Sequence, residues 1–393
     1  MAQALLGLPV TSSVVSLTRA RLQLSLHGLA EAVSERLKAA KLDPVSVEDI
    51  GAWESGRGRP SLAQAEALAD ALLIPFCALM ADDIEKDPVL DFRRAPNTAS
   101  RDPLSYQTRI KLAQFEAFYR LAKELVRATE TIEDVGVPNA PRADLRDPEA
   151  VEHAGKLVRE AIGLSSKRQV SWADDNFAFA DLRSAVESSG VFVFAFSLNV
   201  DEVRGVSKWE RGGPPAVLVN TADSRAASLF TLMHEYAHLV ASNPNRAFVC
   251  DPATPGLGAE ALANRIAGAA LIPRSLLEAL LVDTGPRHLP YNAWPKNLRS
   301  MLRNSLNVSH PVIGIRLSHL NLAAGPGVTK SFWRHGAGFG RGNATTAERY
   351  RRYLGKRTWD LAATAVDRDL LSPATISRLL DISTKHVEAA LEL

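Results

Sequence analysis

The sequence predicts an α+β chain that is mostly helical, and three observations carry that prediction. Apolar residues recur at helical spacing along most of the 393 residues. Two short runs, Val191-Phe192-Val193-Phe194-Ala195-Phe196 and Ala216-Val217-Leu218-Val219-Asn220, have the length and composition of strands. Directly after them, a helical pattern carries His234-Glu235-Tyr236-Ala237-His238. A chain this long exceeds one compact core, so we expect the segments 1–90, 91–150, 151–285 and 286–393.

The first segment reads as a series of short helices between Leu17 and Met80. Ser61 and Gln64 make a capping box ahead of an apolar face formed by Leu62, Ala65, Leu68, Ala69 and Leu72, and Pro75 ends that helix. Trp53-Glu54-Ser55-Gly56 followed by Arg59-Pro60 resembles the signature of the helix-turn-helix domain of XRE-type repressors, over about residues 16–81. The resemblance implies a five-helix domain that meets double-stranded DNA. Two departures bear on that role. Ser34 to Pro44 is longer than the usual tight turn, and the recognition helix opens Ser46-Val47-Glu48-Asp49, with two carboxylates where phosphates would approach. Ser46, Val47, Arg57 and Arg59 are the candidate DNA-binding residues. In the other reading, Glu48 and Asp49 simply suit a helix N-terminus and the domain binds protein.

Residues 91–150 read as a helical connector. Asp91-Phe92-Arg93-Arg94 resembles a junction found where XRE and ImmA/IrrE-type domains are fused. An amphipathic helix is expected from Ser105 to Thr131, with Leu112, Phe115, Phe118 and Tyr119 as core positions, before a Pro-rich stretch from Glu133 to Pro148.

The helix after the second strand has start signals in Asp223 and Ser224 and stops at Ser242-Asn243-Pro244. Positions i and i+4 lie on one helical face, so His234 and His238 can both aim a ring nitrogen at one metal ion. Glu235 sits beside that face, placed to take a proton from a water that the metal acidifies. A zinc site of this kind needs a third protein ligand. Glu260 opens the next helical pattern, whose small apolar residues permit close approach, and Asn264 follows one turn later as an orienting residue. Glu260 also fits the positive end of its own helix.

Phe230 to His238, with Glu260, Ala263-Asn264 and Leu271-Ile272-Pro273, resembles the ImmA/IrrE-type zinc metallo-endopeptidases. Arg204-Gly205-Val206-Ser207 and Ile315-Arg316-Leu317 extend the resemblance over roughly residues 150–325. It implies a zincin-like fold with a small sheet, Zn2+ held by His234, His238 and Glu260, and Glu235 as base. It also implies a regulatory substrate, a repressor or antitoxin protein. Arg316 is the candidate oxyanion donor because it falls in the family-like phrase; in the other reading it is a surface helix arginine. The strand Ala216–Asn220 is expected at a sheet edge beside the metal, where an extended substrate could pair with it.

After Pro273 the chain reads as helical. Arg334 to Asn343 is a Gly-rich linker without the order of a phosphate loop, and Ser372 to Ser383 opens either a second helix-turn-helix or, as favoured here, a small C-terminal helical segment. Cys77 and Cys250 lack the count and spacing of a disulfide framework and are expected to be reduced core thiols. With no export signal or membrane-length apolar run expected, the cytoplasm is the expected compartment. A formal net charge of +2 gives no global attraction to nucleic acid. Two function classes follow. The chain is a zinc endopeptidase acting on a partner repressor or antitoxin, or a non-proteolytic repressor or antitoxin that uses the peptidase fold as a sensor, in company with a PIN-type toxin.

Overall fold

The computed structural model describes residues 7–74, 76–80, 104–129, 147–199, 202–241, 246–250 (backbone only), 258–281, 285–325, 327 and 344–392. The junction at 91–94, the Pro-rich stretch up to residue 146 and the Gly-rich segment 334–343 lie outside them. The chain divides into two compact units, residues 1–92 with 102–114, and residues 93–101 with 115–393.

The first unit contains α1 (Ser12–Arg21), α2 (Leu26–Ala39), α3 (Val47–Glu54), α4 (Leu62–Leu72), a 3-10 turn at Phe76–Met80 and the start of α5 (Tyr106–Thr129). Leu29, Val33, Ile50, Trp53, Leu68 and Leu72 form its centre. Both α3 and α4 begin with full capping boxes, Ser46 with Asp49 and Ser61 with Gln64, which satisfy N–H groups that have no partner inside the helix. Arg19 on α1 binds both carboxylate oxygens of Glu54 at 2.6 and 3.0 Å, fixing the end of α3. Of the long connection expected over Ser34 to Pro44, Ser34 to Ala39 belong to α2, and the connection between α2 and α3 is residues 40–46. Cys77 is exposed, contrary to the expectation of a core thiol, because the short 3-10 turn buries Leu79 instead.

The second unit begins with the remainder of α5, followed by α6 (Pro148–Ala161), α7 (Ser166–Val170) and α8 (Asp175–Ser188). The strands β1 (Phe192–Phe196), β2 (Gly205–Trp209) and β3 (Ala216–Asn220) precede α9 (Arg225–Ala241), and β4 (Arg246–Cys250) follows it. Then come α10 (Ala259–Leu271), α11 (Arg274–Leu281), α12 (Lys296–Leu306), α13 (His310–His319), α14 (Thr346–Asp367), α15 (Pro373–Leu380) and α16 (Thr384–Glu392). Helix dominates and the sheet is small, as the apolar periodicity predicts.

The sheet order is β1-β3-β2-β4, with β1 and β3 parallel and the other pairs antiparallel. This overturns the edge position expected for Ala216–Asn220. That strand pairs on both sides, which suits a run in which every residue is buried. The substrate-pairing role proposed for it is therefore removed. Among the described residues, the edge beyond β2 belongs to β4.

Candidate metal centre

Asn220 sets the start of the helix that carries the histidines. Its buried amide donates to Leu198 O and Val203 O and accepts from the backbone N–H groups of Leu198 and Ala222, all within 3.3 Å. A side chain satisfied at every position fixes the turn from β3 into α9. From Leu229 to Val240, every residue but Phe230 is buried or nearly so, which locks the register of α9 by packing. Ala263, Ala267 and Ala270 allow α10 to lie close against it, and Gly155 on α6 admits the α10 backbone at Ala269.

The two imidazoles meet Glu260 at one point. His234 Nε2 and His238 Nε2 are 3.0 Å apart, with the rings nearly perpendicular at 86°. His234 Nε2 is 3.3 Å from Glu260 Oε2, and His238 Nε2 is 3.3 Å from Glu260 Oε1. Donors about 2.0–2.1 Å from a tetrahedral zinc ion stand about 3.3 Å from one another, so the spacings fit. The His, His, carboxylate set is also the N/O set that zinc takes in hydrolytic sites. Among the described residues, these three are the only group of metal-ligating side chains drawn together in this way.

Their protonation fits a cation site. Burial alone would raise Glu260, but hydrogen bonds and charge from the two histidines hold its carboxyl well below the usual carboxylate range. Burial would lower His234; hydrogen bonding to Glu260, the charges of Glu235 and Glu260, and a hydrogen bond to Asn264 raise it instead. His238 moves down, through burial and the neighbouring His234 charge. Asn264, one turn along α10 from Glu260, hydrogen-bonds to His234.

Glu235 is fully buried against β2. The sequence reading assigned no separate role to Gly205, yet a Cβ there would come within 2.8 Å of Glu235 Cγ and Cδ. The strand must carry glycine at this position to admit the carboxylate. Gly205→Ala is expected to displace Glu235, cost about 1–3 kcal/mol and lower hydrolysis while retaining metal. Parallel metal analysis and thermal unfolding would check this, and full activity in the variant would contradict it.

Arg316 is not brought to the centre, which corrects its expected role. It lies at the far end of α10, where Nε donates to Ile272 O at 2.9 Å and the guanidinium pairs with Glu152 on α6. It meets α10 between Gly268 and Ile272, about 12–18 Å along the helix from Glu260 at 1.5 Å per residue. Arg316 clamps three helices, and its buried guanidinium is committed there. In the first unit, Ser46 and Val47 open α3. The Ser46 hydroxyl accepts from Asp49 N at 3.1 Å, and Val47 packs against the core. Arg57 and Arg59 are exposed.

Residues 186–318 match the family model described as the IrrE N-terminal-like domain, Peptidase_M78. The span runs from the end of α8 into α13 and contains every residue of the metal centre, giving this region the class of a metallopeptidase-type domain. The comparisons with curated proteins and with solved structures found no match. No helix-turn-helix model matched the N-terminal helices. Among the described residues, no helix is long and apolar enough to cross a membrane.

Proposed function

We propose that the chain is a zinc-dependent endopeptidase with a regulatory role, cleaving a partner repressor or antitoxin. The observation that carries this reading is the convergence of His234, His238 and Glu260 at zinc-donor spacing with a carboxylate, Glu235, from the same helix beside them. Zinc held there would supply Lewis-acid polarisation of a peptide carbonyl and lower the pKa of water to about 7.

The chain's own residues do the rest. His234 and Glu260 reach the surface slightly while His238 and Glu235 do not, so the substrate carbonyl approaches from the His234–Glu260 side. Glu235 accepts the proton of the attacking water at a carboxylate oxygen and delivers it to the leaving nitrogen. The wall of β2 at Gly205 keeps that carboxylate from turning away. With Ala216–Asn220 internal, pairing of an extended substrate falls to the outer edge of β4. The first unit selects the target, with Arg57 and Arg59 as its exposed cations toward DNA or toward the partner, and the compartment is the cytoplasm.

The retained base favours this over a sensor that has lost its chemistry. The test is to incubate the zinc-loaded full chain with a proteome-derived peptide library and read cleavage sites by mass spectrometry. Discrete sites that vanish in Glu235→Gln are expected. Stoichiometric zinc with no cleavage would favour the non-proteolytic antitoxin reading, in company with a PIN-type toxin.

A further inference from the structure

We propose that the cleft between α8, the first turn of α9 and α14 binds a small phosphate-bearing anion of nucleotide size. The cleft has a volume of about 910 Å³ and includes none of the metal-centre residues. That volume lies within the range of about 300–1,000 Å³ typical of small-molecule sites.

Its charge is strongly one-sided. The lining carries six cationic side chains, Arg183, Arg225, Arg349, Arg351, Arg352 and Lys356, against one carboxylate, Glu187. Glu187 is already committed. Gly355, at φ 80° and ψ 173°, interrupts α14, and Glu187 Oε2 accepts from the backbone N–H groups of Lys356 and Arg357 at 3.1 and 3.4 Å. Arg183 donates to Arg352 O and Tyr353 O on the other side of the break and pairs with Glu187 at 3.1 Å. This pair on α8 therefore caps both halves of the interrupted helix and cancels its own charge.

Lys356 is also compensated, by Asp360 one turn along α14, and the other arginines have neutral groups among their partners. Arg225 Nε donates to Asn176 Oδ1 at 2.7 Å, Arg349 donates to Thr346 Oγ1 at 3.1 Å, and Arg352 donates to Glu348 O at 3.4 Å. Burial pushes Arg225 down to about 10, marking a guanidinium held partly out of water. Like charges crowded on a concave wall repel one another and focus a positive potential that a multiply charged anion would relieve. Guanidinium groups suit phosphate because their planar forks donate two parallel hydrogen bonds. Phe179 and Tyr353 add apolar wall for the rest of such a ligand. A concave cleft of bounded volume, rather than an extended basic stripe, favours a small ligand over a polynucleotide.

The test is calorimetric titration of the full chain with ADP, pyrophosphate and a single-stranded oligonucleotide at near-physiological salt. ADP is expected to bind at one site and to be displaced by pyrophosphate. Arg349→Glu combined with Arg352→Glu, both exposed and remote from the core, is expected to weaken ADP about 100-fold, and Arg225→Gln about tenfold. Binding should persist unchanged in Glu260→Ala, which separates this cleft from the metal centre. Absence of ADP binding, affinity indifferent to the arginine variants, loss in Glu260→Ala, or binding of the oligonucleotide alone would each overturn the proposal.

Discussion

Glu235→Gln is expected to lower peptide hydrolysis by about 10²–10⁴-fold, the usual contribution of a positioned general acid–base, while zinc content stays near that of the parent. The amide has nearly the shape of the carboxylate and can still fit against Gly205, but it cannot carry a proton between water and leaving nitrogen. His238→Ala and Glu260→Ala are expected to behave differently, because each removes one of only three protein donors. Both should lose the metal outright, and Asn264→Ala should weaken it by about 10–100-fold as an orienting partner of His234. Mass-spectrometric metal analysis beside a cleavage assay distinguishes these patterns. A Glu235→Gln protein that cleaves at the parent rate would remove the assigned base; a Glu260→Ala protein that keeps zinc would remove the assigned ligand.

The metal centre is legible in the sequence because its geometry is local. Two histidines four apart share a helical face whatever surrounds the helix, and Glu260 opens the next helical pattern, where small residues invite contact. Three features are not local and were missed or misread. Whether Ala216–Asn220 sits at an edge depends on its pairing with β1 on one side and β2 on the other, and no pattern within the five residues encodes both pairings. Arg316 is claimed by Glu152, which lies 164 positions earlier in the chain. Gly205 looks like any strand glycine until the Glu235 carboxylate is placed against it. In the first unit, Asp49 at the acidic start of α3 closes a capping box, a local role that its position three residues after Ser46 encodes, while Glu48 beside it is exposed.

Lys208→Met is expected to be the most destabilising substitution away from the metal. Lys208 on β2 and Glu116 on α5 are both buried, with Lys208 Nζ 2.7 and 2.6 Å from the two Glu116 oxygens. Lys208 also lies 3.0 Å from Glu210 and 4.7 Å from the centre of the Tyr119 ring. Removing the cation leaves a carboxylate in a dry site, which costs about 3–5 kcal/mol. Replacing both partners, as Glu116→Gln with Lys208→Met, should recover most of that loss.

The pH dependence has a definite sign. Burial already raises Glu116 above the ordinary glutamate value, and Lys208 is the main influence holding it down. In Lys208→Met the folded-state value must rise further. A carboxyl raised on folding binds more protons in the folded than in the unfolded protein, so stability is lost as pH climbs through that range and regained as it falls. The variant should therefore recover part of its deficit as pH is lowered from neutral, whereas the double variant should not. Denaturant titrations at falling pH would check both. Because Lys208 lies three residues from Gly205 on the same strand, the single variant should also lose more turnover than zinc: a β2 disturbed at Lys208 no longer holds Gly205 squarely against Glu235.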